Sequence, residues 1–127
     1  MIYPHKGGFR EAGTIGRAYL LNNPLQCVRK ENASGSLPAQ YSMVRVDAEN
    51  VITEVVKEAE SGTDTILRLY ESFNRRTKTT VRFGTPVKAV QVCNMLEEAE
   101  EELGCGENSF ELEMMPYEIK TLRVIFQ

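Results

Sequence analysis

The 127-residue chain is 42% hydrophobic and sets 15 Lys and Arg against 18 Asp and Glu, for a net charge of −3. That length fits one compact domain with a core, but not a glycosidase barrel, which needs roughly 250 residues. No run approaches the ~18 apolar residues of a membrane span, and acidic and basic residues mix along the chain, so neither a membrane nor a nucleic acid is an expected partner.

Met1-Ile2-Tyr3 runs directly into Pro4-His5-Lys6-Gly7-Gly8 with no apolar stretch. No secretory leader is expected, and a cytoplasmic location is. Residues 1–40 are turn-rich, with one short helix expected over Glu11–Leu21, where Ala12, Ile15, Ala18, Tyr19 and Leu20 fall at helical spacing. Gly13 and Gly16 weaken it by about 1 kcal/mol each relative to Ala. Asn22-Asn23-Pro24 should stop it, because a residue before proline avoids the helical region. The triplet Asn32-Ala33-Ser34 matches a glycosylation acceptor, and without a secretory signal the match reads as chance.

From Tyr41 onward the period becomes two. Asn50 to Ala59 is ambiguous by pattern: Val51, Ile52, Val55, Val56 and Ala59 fit a helical face with Asn50 as N-cap, yet the β-branched content favours a strand. Leu67, Leu69 and Phe73 alternate with polar residues, as do Thr79, Val81 and Phe83. The short connection Asn74-Arg75-Arg76 suggests that these two strands form a hairpin with a solvated basic tip, Arg75, Arg76 and Lys78. Leu96, Ala99 and Leu103 read as a short helical connection with five glutamates on its wet face and Gly104 as its stop. Phe110, Leu112 and Met114 form another strand. Leu122 to Phe126 is apolar on both faces, as a central or covered strand would be. Together these elements give a mainly β fold, an antiparallel immunoglobulin-like β-sandwich over 41–127, because one-faced sheets bury their apolar side on a second sheet.

Chemistry is scarce. The single histidine, His5, leaves most metal and triad schemes without members, and it reads either as a turn residue or as a group beside a pocket built elsewhere. Asp47, Glu54, Asp64 and Glu71 show no spacing that pairs two carboxylates across a glycosidic bond. Gly104-Cys105-Gly106 leads into a strand, so no phosphate cradle is expected. Cys27, Cys93 and Cys105 are odd in number and read as reduced thiols.

Three ordered stretches resemble the C-terminal region of glycoside hydrolase family 38 α-mannosidases, of the bacterial and cytosolic branch. The first is Tyr3-Pro4-His5-Lys6-Gly7-Gly8, with Ala18-Tyr19 and Asn22-Asn23-Pro24-Leu25 following; Phe9 stands where many members carry Trp. The second is Asn50-Val51-Ile52, then Lys57-Glu58-Ala59-Glu60 and Arg68-Leu69-Tyr70-Glu71. The third is Leu96-Glu97-Glu98 and then Pro116-Tyr117-Glu118-Ile119-Lys120-Thr121-Leu122.

This resemblance implies a strand at Val51–Lys57. It implies a C-terminal structural domain of an enzyme that releases terminal α-linked mannose with retention, its aspartate nucleophile and zinc lying in an N-terminal domain. No catalytic or metal residue and no cofactor is therefore assigned to this chain. Its expected partners are the catalytic and other β-domains of the same polypeptide, with a mannose-containing glycan reached through that polypeptide. Residues 1–40 are expected to be the end of a preceding β-domain or an extension packed on the sandwich. Tyr3, His5 and Arg68 are the expected cleft contacts. The alternative is a free-standing carbohydrate-binding module, against which stands the absence of any Trp to stack on a sugar face.

Overall fold

The computed structural model describes residues 2–31 and 34–127; Met1, and Asn32 and Ala33 of the glycosylation-like triplet, lie outside the described residues. The chain divides into two units, Met1–Ser36 and Leu37–Gln127. In the first, one helix, α1, spans Thr14–Asn22. It starts later than its apolar spacing suggests because Gly13 takes a left-handed φ of 61°, a conformation that glycine enters without steric cost. It stops where expected: the Asn23 N–H donates to the Tyr19 carbonyl at 2.8 Å, and Pro24 follows. None of its residues is buried.

The second unit holds eight strands among the described residues: β1 (Val44–Val46), β2 (Val51–Glu58), β3 (Thr65–Glu71), β4 (Thr77–Phe83), β5 (Val87–Cys93), β6 (Ala99–Leu103), β7 (Ser109–Met114) and β8 (Ile119–Phe126). They form two antiparallel sheets, of order β1-β4-β7 and β2-β3-β8-β5-β6. The mainly β sandwich expected from the sequence is what the chain adopts. Leu67 and Leu69 of β3, Val90 of β5 and Leu122 and Val124 of β8 meet Val81, Leu112 and Met114 of the smaller sheet in one core. Phe83 stacks on Phe110 at 5.9 Å and meets the edge of Phe126 at 5.6 Å, closing one end.

The ambiguous segment is a strand, and its helix-like spacing has a cause. The β2–β3 register slips between Thr53 and Val55. This bulge inserts Glu54 as an extra residue in β2, so Ile52 and Val55, three apart, both fall on the face away from the core. The tail is also as its pattern suggests. β8 is central, flanked by β3 and β5, and the Met115–Glu118 turn containing Pro116 separates it from β7.

Two expectations are corrected. β3 and β4 do not form a hairpin: they lie in different sheets. The connection between them is held across the sandwich edge, with Phe73 buried in its middle and the Ser72 N–H and hydroxyl both donating to the Asn50 carbonyl at 2.8 and 3.0 Å. The glutamate-rich Leu96–Leu103 stretch is not a helix either. Its Ala99–Leu103 part is edge strand β6, paired to β5. Ladder hydrogen bonds override the modest helix preference of Glu and Ala, and charges along an outer strand discourage pairing with a further chain.

Candidate functional site

On the face of the larger sheet away from the core, charged side chains from distant parts of the sequence converge. Pairing places Lys57 of β2 opposite Ile66, and Ile66 opposite Arg123 of β8, one row across three strands. The turn Asn94–Glu98 after β5 brings Glu97 to that row. Glu97 has a left-handed φ of 67° and only 6% of its surface exposed. Its carboxylate lies 2.7 Å from the Lys57 ammonium and accepts the Glu60 backbone N–H at 2.8 Å. Lys57 also pairs with Glu60 at 2.7 Å. The Lys57 bond, followed by the Glu60 N–H, outweighs burial and holds the Glu97 carboxyl below the usual carboxylate range. The hydrogen bonds that its ammonium donates to Glu60 and then to Glu97 raise Lys57 above the ordinary lysine value. Arg123 donates to the Ser61 hydroxyl at 3.1 Å, and Arg68 donates to the Thr121 hydroxyl at 3.2 Å.

This arrangement pins a turn over the sheet, and it leaves Glu97 ionised and unsuited to donate a proton as a general acid. Glu97→Gln is expected to loosen the turn. The thiol of Cys93, buried beside it and raised chiefly by burial, should then react several-fold faster with a thiol reagent, while exposed Cys27 keeps its rate.

A second polar cluster lies inside the sandwich. Glu71 continues the inward phase of Leu67 and Leu69 and is 1% exposed. One carboxylate oxygen accepts the Asn50 amide and the Phe73 N–H, both at 2.7 Å; the other accepts the N–H groups of Tyr117 at 3.0 Å and Arg75 at 3.2 Å. Burial pushes this carboxyl up, but the bonds from Tyr117, Asn50, Phe73 and Arg75 together prevail and bring it down to about 2. The Asn50 amide also donates to the Thr77 hydroxyl at 2.6 Å. Glu71 thus ties together the start of β2, the β3–β4 connection and the β7–β8 turn.

The three residues expected at a substrate cleft are divided between the two units. Tyr3 and His5 come together in the first unit, their rings 5.4 Å apart, with the Arg17 guanidinium 5.7 Å from the Tyr3 ring on which it stacks. The Tyr3 hydroxyl donates to the Ala12 carbonyl at 3.1 Å. Arg68 belongs to the second unit, on the outer face of β3. Sequence reasoning missed Glu71, Lys57, Glu97 and Arg123. Only Glu71 carried a signal, a carboxylate in the phase of two core leucines. No group of three or more His, Cys, Asp or Glu side chains able to hold a metal converges among the described residues. An open groove lies along Lys78–Thr80 and Glu111–Glu113 on the smaller sheet, lined by residues of both charges.

Residues 50–122 match the description "Glycosyl hydrolases family 38 C-terminal beta sandwich domain". Over 98% of its length the chain is 30% identical to Alpha-mannosidase G of Dictyostelium discoideum. Over 99% it is 31% and 32% identical to Alpha-mannosidase 2C1 of Mus musculus and of Homo sapiens. It spans 12% of the length of each of these relatives.

Proposed function

The chain belongs to the glycosyl hydrolase family 38 C-terminal β-sandwich domains, and from that premise we propose that it is a non-catalytic structural domain of an α-mannosidase of the bacterial and cytosolic branch. The enzyme as a whole would release terminal α-linked mannose from oligosaccharides with retention, using a zinc ion held outside this chain. One observation carries the reading: the chain aligns almost end to end with relatives of which it makes up only 12%. The donor set of this chain does not fit a zinc centre: its one histidine lies in an exposed, irregular stretch, and no three His, Cys, Asp or Glu side chains converge among the described residues.

Its contribution is architectural. Two sheets tied together through Glu71, with a turn pinned on the larger one by the Glu97–Lys57 pair, offer a rigid body against which the catalytic and other β-domains of the polypeptide can brace. Tyr3, His5 and Arg68 are proposed to approach the substrate cleft, where an aromatic face and a guanidinium suit sugar carbons and hydroxyls. Three free thiols accord with a reducing, cytoplasmic setting.

The isolated chain is expected to show no hydrolysis of an aryl α-mannoside, with or without added zinc. Turnover above background would overturn the reading. Measurable calorimetric binding of mannose oligosaccharides by the chain alone would replace it with a carbohydrate-binding module.

A further inference from the structure

Two neighbouring turns at one end of the larger sheet present apolar side chains to solvent. Met95 and Leu96, in the turn after β5, are 62% and 79% exposed; Met115, Tyr117 and Ile119, around the β7–β8 turn, are 46%, 59% and 61% exposed. The turns meet through Thr121, whose hydroxyl reaches the Met95 sulfur at 3.7 Å and which lies two residues from Ile119 on the same face of β8. Neither turn is slack. The Asn94 side-chain oxygen accepts the N–H groups of Leu96 and Glu98 at 2.9 and 3.1 Å, and the Glu118 carboxylate accepts the Met115 N–H at 2.6 Å. Each turn also holds a non-glycine residue in the left-handed region, Glu97 at 67° and Tyr117 at 56°, a conformation that costs energy and persists where the surroundings enforce it. Apolar tips held so firmly are preorganised for contact, and a cluster of this kind on a protein surface marks an interaction site.

We infer that this end of the sheet is the seat of the remainder of the α-mannosidase polypeptide, which meets it with an apolar centre and a basic rim. The inference rests on the reading of the chain as one domain of such an enzyme. The occupant follows from length and from charge. The chain accounts for 12% of each relative, so a large body of polypeptide is available to cover the patch. The patch is flanked by the exposed carboxylates of Glu98, Glu100, Glu101 and Glu102, which a basic rim complements. A second copy of the chain would bring the same acidic edge, like charge against like.

Methionine oxidation reads the patch without mutation, because the rate at which sulfoxide forms follows exposure of the sulfur. The full-length protein is treated with hydrogen peroxide and each methionine is followed by mass spectrometry. Met114, fully buried, is the internal slow reference. Met95 and Met115 are expected to oxidise near the Met114 rate, about tenfold slower than a free methionine peptide. Oxidation of Met95 and Met115 at the free-peptide rate would overturn the inference. So would protection that disappears on dilution, which would assign the surface to a second copy. A full-length protein that shows the protection but hydrolyses no α-mannoside would sink the enzymatic reading and leave the seat standing as an interface of that polypeptide.

Discussion

Glu71→Ala is expected to cost the sandwich about 3–5 kcal/mol, because a buried carboxylate removed from its partners leaves them without compensation. Three backbone N–H groups, those of Phe73, Arg75 and Tyr117, and the Asn50 amide would lose an acceptor in the interior. These donors come from the β2 start, the β3–β4 connection and the β7–β8 turn, so the damage reaches both sheets. Urea denaturation of the two proteins measures it; a midpoint unchanged from wild type would show that the carboxylate is dispensable. Glu71→Gln keeps one acceptor oxygen but turns an NH2 group toward other donors, so a substantial part of the loss should remain.

The same residue sets the acid limb of stability. Its carboxyl titrates at about 2 in the folded chain against 4.5 for the unperturbed group. The folded state therefore binds this proton less readily. The contribution, about 3 kcal/mol, is complete above the unfolded value and is lost as pH falls from about 5 toward 2. Stability plotted over that range should fall less steeply in Glu71→Gln than in wild type. Parallel curves would mean that other carboxylates carry the acid sensitivity.

Leu122→Ala is the second large effect expected, about 2–5 kcal/mol. Leu122 is fully buried, on the central strand of the larger sheet, opposite Leu67 of β3 on one side and Val92 of β5 on the other. Truncation there opens a cavity between neighbours that ladder hydrogen bonds hold apart. The built-in comparison is Ile119→Ala on the same strand: that side chain is mostly exposed, and its loss should change the stability of the isolated chain by no more than about 0.5 kcal/mol. Equal losses for the two would contradict the assignment of inner and outer faces.

The strands at Val81 and Leu112 were legible because each buries one face, and alternation then reports burial directly; β8 was legible by the opposite sign, apolar residues on both faces. Elsewhere the pattern misleads for identifiable reasons. At β2 a bulge at Glu54 inserts one residue, which imitates the spacing of a helix. At β6 the residues are good helix formers, and only pairing with β5 makes them a strand; that partner is invisible in the local sequence. The β3–β4 connection is as short as a hairpin loop. What sends it to the opposite sheet is the buried Phe73 and the bonds drawn by Glu71, which depend on chain brought in from Asn50 and Tyr117. The outer-face cluster was illegible for the same reason: Lys57, Glu97 and Arg123 belong to different strands and turns, and nothing in the order of the sequence pairs them. Of the expected cleft residues, Tyr3 and His5 meet as neighbours in sequence, whereas Arg68 lies in the other unit.

The central place of β8 has a consequence for synthesis. Among the five strands of the larger sheet it is the last to leave the ribosome, yet it is the one that both β3 and β5 must pair with. Until it emerges, the β2–β3 and β5–β6 pairs have nothing between them, and the facing edges of β3 and β5 display unpaired N–H and C=O groups. Pairing such as Thr65 with Val124 spans most of the unit, so closure waits for distant chain and is slow by the measure of contact order. A nascent sandwich of this kind is open at its middle rather than at its rim, and its most aggregation-prone moment falls just before β8 emerges.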